Sequence, residues 1–356
     1  MKVIHVINDL FAYGGTPKKL KYLVKYSDKT KFQHVFICIN RADVLVDFGD
    51  LPVEIRHADG SLYKALQLIK SEIVKTPTVI CVHFFKAFIT GVIASILYRL
   101  PLINNEHGSA YYRTGYKKYL MRIFRFVPKV TICNSNYVLG TINDQFKFSR
   151  SKLEVVYNPV ERRKINDVNL HLKKNNHSLY LGHVGGFIPQ RDQVILVDAL
   201  SALRKKNIDA YLVLIGDGPE RDNLIQRSCD LNVSKYVNLI GYTENIGDWL
   251  NEFDIYINPT LDEGFGIAVV EAMLAKVPVI AAAAGAHNEI IEDNINGLLY
   301  EPNNLTSLVD KIENLYGDSS ACDTIIKNAV SIAENNYSPK VYSQKYHDII
   351  DNMKAD

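Results

Sequence analysis

Short apolar runs rich in β-branched residues recur along the chain, with helical stretches between them. In the first half they are KVIHVIN (2–8), HVFICIN (34–40), VEIRHA (53–58), TVICVHFF (78–85), LINNEH (102–107), KVTICNS (129–135) and LEVVYNP (153–159). In the second half they are YLGHVGG (180–186), AYLVLIGDG (210–218), YVNLIGY (236–242), DIYINPT (254–260), VPVIAAAA (277–284) and GLLYEP (297–302). Runs apolar at nearly every position suit strands covered on both faces, as in parallel sheets with crossover helices. Two successive arrays of this kind predict an α/β protein of two doubly wound domains. The stretch 161–178 is polar, charged and Asn-rich, which predicts a break there. The expected division is a first domain over 1–165, a linker over 166–178, a second domain over 179–337 and a closing helix over 338–356. That helix opens on Ser-Pro and carries Val341, Tyr342, Tyr346, Ile349, Ile350 and Met353 at helical spacing. We expect it to pack back on the first domain.

Length supports two cores: 356 residues at about 150 per domain. The start, MKVIHVINDL, is too short and too polar for a signal peptide. The apolar stretch 88–98 falls short of the roughly 18 residues a bilayer span needs, so it reads as a core helix. The five cysteines form no C-x-x-C pair, and Cys38, Cys81 and Cys133 lie in strand-like runs. Free buried thiols in a reducing cytoplasm are the expectation, and no metal site is predicted. The net charge of +2 hides an asymmetry. Residues 1–167 carry 26 Lys and Arg against 13 Asp and Glu, a net of +13; residues 168–356 carry 15 against 26, a net of −11. Opposite fields draw two domains together, or turn the first half toward something anionic.

In open α/β sheets ligands bind beyond the carboxyl ends of the strands. One such stretch, LDEGFGIAVVEAM (261–273), places Glu271 in an apolar helix expected from about Ile267 to Ala275. A buried carboxylate costs several kcal/mol unless something meets it. Two readings stay open. Glu263 and Glu271 could each accept from vicinal hydroxyls while the amides of Gly264, Phe265 and Gly266 face an anion between them. Otherwise Glu271 is structural, held by a neighbouring domain's Arg or amides. The absence of D-x-D argues against a metal-held diphosphate, and no G-x-G-x-x-G follows the first strand, which argues against a dinucleotide oxidoreductase.

The stretch 109–130, SAYYRTGYKKYLMRIFRFVPKV, has six basic residues, six Tyr or Phe and no acid. Arg113, Lys117, Lys118, Arg122 and Arg125 interleaved with aromatics suit an anionic membrane surface. A helix with one core face and one solvated basic face is the alternative. Nucleic acid is not an expected partner, since the other half is acidic and no nucleic-acid module is present.

E-G-F-G-x-x-x-x-E-A-M after a strand ending N-P-T resembles the signature of family 4 retaining glycosyltransferases of the GT-B fold. The likeness continues through Gly14-Gly15-Thr16, EHG (106–108), NS (134–135), VVYNPV (155–160), HVGGFIPQRD (183–192), LIGDGPE (214–220), NLIGY (238–242) and NEIIEDNINGLLY (288–300). The resemblance implies two Rossmann-like domains facing across a cleft. It implies transfer of a hexose, with retention and without a metal, from a nucleotide-sugar to an acceptor hydroxyl. A UDP-sugar is expected in preference to a GDP-sugar, with no further cofactor. Glu271 then matches the position that holds ribose hydroxyls, and Glu263 the one touching donor-sugar hydroxyls, helped by the Phe265-Gly266 amides. Arg191 matches a cation for the diphosphate, and His107 a histidine near the donor sugar. Gly15 matches the glycine loop near phosphates and acceptor, with Thr16 beside it. Gly185, Gly216, Gly241, Tyr242, Gly264 and Ile267 line the donor. The family usually has Gly-Arg where this chain has Gly185-Gly186, so one phosphate cation is missing; Arg113, Lys18 or Lys19 are candidates to replace it. The acceptor implied is a lipid-linked saccharide in capsule or O-antigen assembly, on the cytoplasmic face of the membrane. A nucleotide-sugar epimerase or hydrolase, or a non-catalytic binding subunit, are the alternatives on the same fold.

Overall fold

A computed structural model describes residues 1–353 apart from 12–14, 42–45, 74–75, 167, 169 and 171–177. Gly14 and most of the expected linker lie outside the described residues. The chain forms two compact units, Met1–Pro159 with Ser338–Asp356, and Val160–Tyr337.

The first unit is built on a parallel sheet of β1 (Lys2–Ile7), β2 (Gln33–Cys38), β3 (Val53–His57), β4 (Thr78–His83), β5 (Leu102–Glu106), β6 (Val130–Cys133) and β7 (Leu153–Val155). The strands stand in the order β3-β2-β1-β4-β5-β6-β7. Helices α1 (Gly15–Lys25), α2 (Leu62–Glu72), α3 (Phe85–Tyr98), α4 (Gly115–Phe124) and α5 (Asn136–Phe146) connect them. Alternation along each strand divides the core in two. Val3, Ile7, Phe36, Cys81 and Ile103 pack with Leu20 and Leu23 of α1 and with Tyr342 and Tyr346 of the C-terminal helix α13 (Pro339–Asn352). Ile4, Val6, Ile37, Ile80 and Val82 pack instead with Ile69 of α2, Phe88 and Val92 of α3, and Ile142 of α5. The helix starts follow capping chemistry: Ser61 accepts from the Lys64 amide, Ser135 from the Val138 amide, and α13 begins on Pro339. The closing helix is thus part of the first unit's core, with Tyr346 donating to Asn105 Oδ1 at 3.1 Å.

The second unit carries β8 (Leu179–Val184), β9 (Ala210–Ile215), β10 (Val237–Gly241), β11 (Ile255–Asn258), β12 (Val279–Ala282) and β13 (Leu298–Tyr300), all parallel, in the order β10-β9-β8-β11-β12-β13. Its helices are α6 (Val194–Lys205), α7 (Arg221–Asp230), α8 (Ile246–Glu252), α9 (Ile267–Leu274), α10 (His287–Ile290), α11 (Leu305–Gly317) and α12 (Ser319–Tyr337). Leu181, Leu212, Leu214 and Ile257 pack on Leu196 and Leu200 of α6, Leu224 of α7 and Ile312 of α11; α9 lies against α12.

The division falls at Pro159, earlier than the expected 165, and the reason is local. Asp248 at the start of α8 is buried, and its Oδ1 accepts from the amides of Asn166 at 2.9 Å and Val168 at 3.3 Å. The segment read as the end of one domain and the start of a linker is therefore bound into the second unit. No helix among the described residues is long and apolar enough to cross a membrane. The stretch 88–98 lies in α3, where Phe88 and Val92 are buried but Ile96 and Leu97 face outward. Cys38, Cys81 and Cys133 are buried free thiols, whereas Cys229 is exposed.

Candidate functional site

In the second unit the loops leaving β8, β9 and β10 are zipped together by backbone. Gly185 N–H donates to Ile215 O at 2.9 Å, Gly216 N–H to Gly241 O at 3.0 Å, and Phe187 N–H to Asp217 O at 2.9 Å. Gly216 has φ +141°, and a Cβ there would sit 2.0 Å from Gly185 O. Only glycine permits both the conformation and the approach. A Cβ on Gly185 would likewise lie 2.2 Å from Arg191 Nη1. The Arg191 guanidinium, from a short 3-10 turn at Pro189–Arg191, is therefore laid directly on the backbone at the carboxyl end of β8. Gly186 is open: the nearest atom to a Cβ there is Asp217 O at 3.7 Å.

Behind this strip lies a group the sequence reading passed over. His183 is fully buried, and its Nδ1–H donates to Ile257 O at 2.8 Å, which leaves Nε2 as the bare nitrogen. Burial, with Arg191 nearby, lowers its pKa to about 4, so the ring is neutral. The Gln193 amide stands 3.5 Å from that nitrogen and donates to Gly186 O at 2.8 Å.

The carboxylates come from the next stretch. Glu263 is half-buried, and its Oε1 accepts from the Phe265 amide at 3.3 Å. That amide is thus met by its own turn, not left for an anion. Phe265 itself is buried, edge-on to Tyr337 at 5.4 Å between centroids. Gly264 and Ile267 are half-buried, and Gly266 caps α9 in the left-handed region at φ +92°. Helix α9 is enclosed as its composition requires, with Val269, Val270, Ala272, Met273 and Leu274 buried around Glu271. Glu271 is met by Arg163, Nη2 to Oε1 at 2.6 Å. Part of the answer to its buried charge is therefore a protein cation, from a segment read as linker boundary. Tyr256 connects the set: its buried hydroxyl approaches Val184 O at 3.4 Å. Burial first, then the fields of Glu263 and Glu271 against that of Arg191, hold it protonated. His287, also missed, donates Nδ1–H to Ala282 O at 2.9 Å.

In the first unit Gly15 opens α1, and Thr16 and Lys19 on that helix are buried. Lys19 is not a solvated helix residue. Its Nζ stands 2.8 Å from His107 Nδ1 and 3.3 Å from Asn158 Oδ1, and burial lowers its pKa to about 7. His107, half-buried after β5, is held well below its ordinary pKa by desolvation and by Lys19, His83 and Arg113. Arg113 is committed to buried Glu106, which also accepts from Asn104 Nδ2 at 2.9 Å. The neutralised carboxylate makes it a poor substitute for a missing phosphate cation. Gly241 ends β10 with open space where a side chain would stand, and Tyr242 is largely exposed.

Basic and aromatic residues of the 109–130 stretch spread over α4, where only Met121 is buried. Tyr116, Tyr119, Ile123 and Phe126 are exposed. Lys117 and Arg122 are exposed, Lys118 and Arg125 half-buried. Arg122 Nε donates to Gln145 O at 2.8 Å, and Arg125 lies 4.0 Å over the Phe126 ring.

Two sequence profiles cover most of the chain: "Glycosyltransferase Family 4" matches residues 14–164, and "Glycosyl transferases group 1" matches residues 165–331. The chain belongs to this glycosyltransferase family. Among its relatives, an uncharacterized glycosyltransferase of Methanocaldococcus jannaschii is 28% identical over 73% of this chain and 72% of its own length. The Escherichia coli UDP-Gal:alpha-D-GlcNAc-diphosphoundecaprenol alpha-1,3-galactosyltransferase is 26% identical over 77% of this chain and 75% of its own. The crystal structure of Anabaena HepE in complex with UDP matches 99% of this chain and all of its own, with a TM-score of 0.81 at 21% identity. The fold is GT-B, two parallel-sheet Rossmann-like units, and the activity class of this glycosyltransferase is glycosyl transfer.

Proposed function

We propose that this glycosyltransferase moves a hexose, with retention and without a metal, from a UDP-sugar to a hydroxyl of a lipid-linked saccharide in surface polysaccharide assembly. The observation that carries the donor half is the Arg191 guanidinium laid on side-chain-less Gly185 at the carboxyl ends of β8 and β9. A diphosphate there meets a cation on a glycine floor, where negative charge develops as the nucleotide departs. Neutral His183 and Gln193 fix the loop that carries Gly186. In this reading Glu263 accepts from the donor hexose and Glu271 from the ribose, with Arg163 paired to Glu271 Oε1. Gly241 and Tyr242 flank the base, His107 stands near the donor sugar, Gly15 near the phosphates and acceptor, and Thr16 on the acceptor side. Glu263 is not assigned as a nucleophile: the departing phosphate takes the acceptor's proton while attack comes from the same face, unlike the carboxylate pair of retaining glycosidases.

A diphosphate-lipid acceptor is favoured by the E. coli relative, whose name specifies one. The exposed basic and aromatic surface of α4 favours work at the anionic cytoplasmic face of a membrane.

Calorimetric titration with UDP tests the donor half. Arg191→Ala should weaken binding about 10- to 100-fold, the range for loss of a charge-assisted contact. Gly186→Arg, placed where a side chain has room, should restore the family's second cation and tighten binding. UDP affinity indifferent to both substitutions would refute the assignment. Rapid UDP-hexose consumption without any acceptor would favour hydrolysis or epimerisation over transfer.

A further inference from the structure

Four histidines stand on or just after four neighbouring strands of the first unit: His34 on β2, His5 on β1, His83 ending β4, and His107 following β5. The register relates them. His34 pairs with Val3, two residues before His5; His5 pairs with Cys81, two before His83; His83 pairs with Asn105, two before His107. Each step crosses one strand and advances one pleat repeat, so all four project from the face that α1 and α13 cover. The line runs diagonally from the amino-terminal end of β2 to the carboxyl end of β5.

Their ring nitrogens join end to end. Ser27 Oγ stands 3.0 Å from His34 Nε2, His34 Nδ1 3.0 Å from His5 Nε2, and His5 Nδ1 3.4 Å from His83 Nε2. His83 Nδ1 is 3.2 Å from His107 Nε2, and His107 Nδ1 is 2.8 Å from Lys19 Nζ. The centroids lie 5.3, 5.7 and 5.4 Å apart with interplanar angles of 15, 26 and 11°. The nitrogen–nitrogen distances plus two ring radii fill those separations, so the imidazoles meet edge to edge and not face to face.

A neutral imidazole donates from one nitrogen and accepts at the other. In an unbroken chain of such rings, the terminal group therefore fixes every tautomer. When Lys19 is an ammonium it can only donate, so His107 accepts at Nδ1 and all four rings carry hydrogen on Nε2. When Lys19 is a neutral amine and accepts, all four rings carry hydrogen on Nδ1, and Ser27 donates to His34. We propose that these histidines are a proton relay between Lys19 and Ser27, which keeps 9% of its surface exposed beside exposed Tyr26 and Asp28, with the charge of Lys19 and the four tautomers switching together. In one passage Lys19 gives a proton to His107 Nδ1 while each ring passes its Nε2 proton to the next Nδ1. His34 hands its own to Ser27, which releases one to water, so the net change is one proton moved outward and no electrons transferred.

The surroundings agree with this direction. Burial above all holds these rings low, helped at His5 by His34, His83 and His347, at His83 by Lys19 and at His34 by His347; His5 and His83 lie well below the ordinary histidine pKa and His34 at about 3, so the rings stay neutral carriers. Lys19 is lowered to about 7 by burial, where it can change charge. The groups facing the chain are Lys19 from α1 and Arg113 beside His107. On the α13 side Tyr346 and Tyr342 neighbour Cys81, and His347 stands by His34. His347 in turn faces Asp351, Asp348 and Asp28. The outer end is thus acidic and the inner end cationic.

The use of the relay in turnover rests on the proposed transfer, in which the departing phosphate takes the acceptor's proton and must then lose it. The spectra that test it contain neither donor nor acceptor, so the relay and the transfer reading fail separately. Two-bond proton–nitrogen correlation spectra of protein labelled at histidine and lysine with nitrogen-15 should be recorded across the Lys19 titration. The four rings should be neutral, all Nε2–H at the acid side, and cross to Nδ1–H with the midpoint of Lys19 Nζ. Lys19→Met should abolish the crossing. His5→Phe should leave His83 and His107 following Lys19 while His34 no longer does. Mixed tautomers, or rings indifferent to Lys19, would overturn the relay, and the unmutated protein alone decides this if a variant does not fold.

Discussion

At the scale of single residues, Glu271 shows what a buried charge demands. Its position in an apolar helix raises the question in the sequence, yet the cation that meets it comes from a segment that reads as a domain boundary. Arg163 keeps about a third of its side chain exposed, so the pair is screened on one side. We expect Arg163→Ala to destabilise the second unit by about 1–3 kcal/mol, since it leaves a buried carboxylate short of a partner. Adding Glu271→Gln should recover part of that loss in urea unfolding, because the carboxylate that lost its cation is then gone. A double variant as unstable as the sum of the two singles would show that the pair has no coupling. His183 and Lys19 make the same point: neither has a sequence neighbour that reveals its partner, because Ile257 and His107 reach them through the sheet and through a helix laid on it.

At the scale of elements, the thirteen apolar runs and thirteen strands among the described residues coincide, because strands buried on both faces leave little room for polar residues. The predicted extent of α9 also agrees, since Gly266 and the apolar run after it set its start. Helix α4 was less legible. The sequence leaves open a core face with a solvated basic face, and the fold buries Met121 alone. That leaves Tyr116, Tyr119, Ile123 and Phe126 outward beside Lys117 and Arg122. Neutralising Lys117, Lys118, Arg122 and Arg125 together should weaken partitioning onto anionic liposomes by up to about 1,000-fold, at about 1 kcal/mol per basic residue near the surface. Arg122 should contribute less than Lys117, being tied to Gln145 O. UDP affinity should stay unchanged. Equal partitioning of the quadruple variant would remove the membrane role of α4.

At the scale of the whole molecule, enclosed histidines govern the response to acid. His5, His34, His83 and His107 in the first unit, and His183 and His287 in the second, all have pKa values below the ordinary 6.5. Below pH 6.5 the unfolded chain binds protons that these rings refuse, so stability falls as pH falls. Each contributes about 1.4 kcal/mol per pH unit between 6.5 and its folded pKa. Lys19 acts in a different window with the same sign. Between about 7 and 10.5 the unfolded lysine is protonated and the folded one is not, so stability rises with pH there. Urea midpoints should therefore climb from pH 4.5 to 6.5 and again, more gently, to 8.5. A flat profile below 6.5 would mean the histidines are not enclosed as neutral rings.

The sequence by itself determined the two sheets, their strands, the glycines at the strand ends and the family, because periodicity and local backbone demands are properties of neighbouring residues. It also marked Glu263, Glu271, Arg191 and His107 by position. Only the tertiary structure decided which of these stand together, that Arg163 meets Glu271, that Arg113 is committed to Glu106, and that histidines on four separate strands share one line. Strand order β3-β2-β1-β4-β5 and its register bring residues 5, 34, 83 and 107 into contact. Hydrogen bonds across a sheet depend on which strands pair and in what register, and no local pattern in one strand encodes its neighbour.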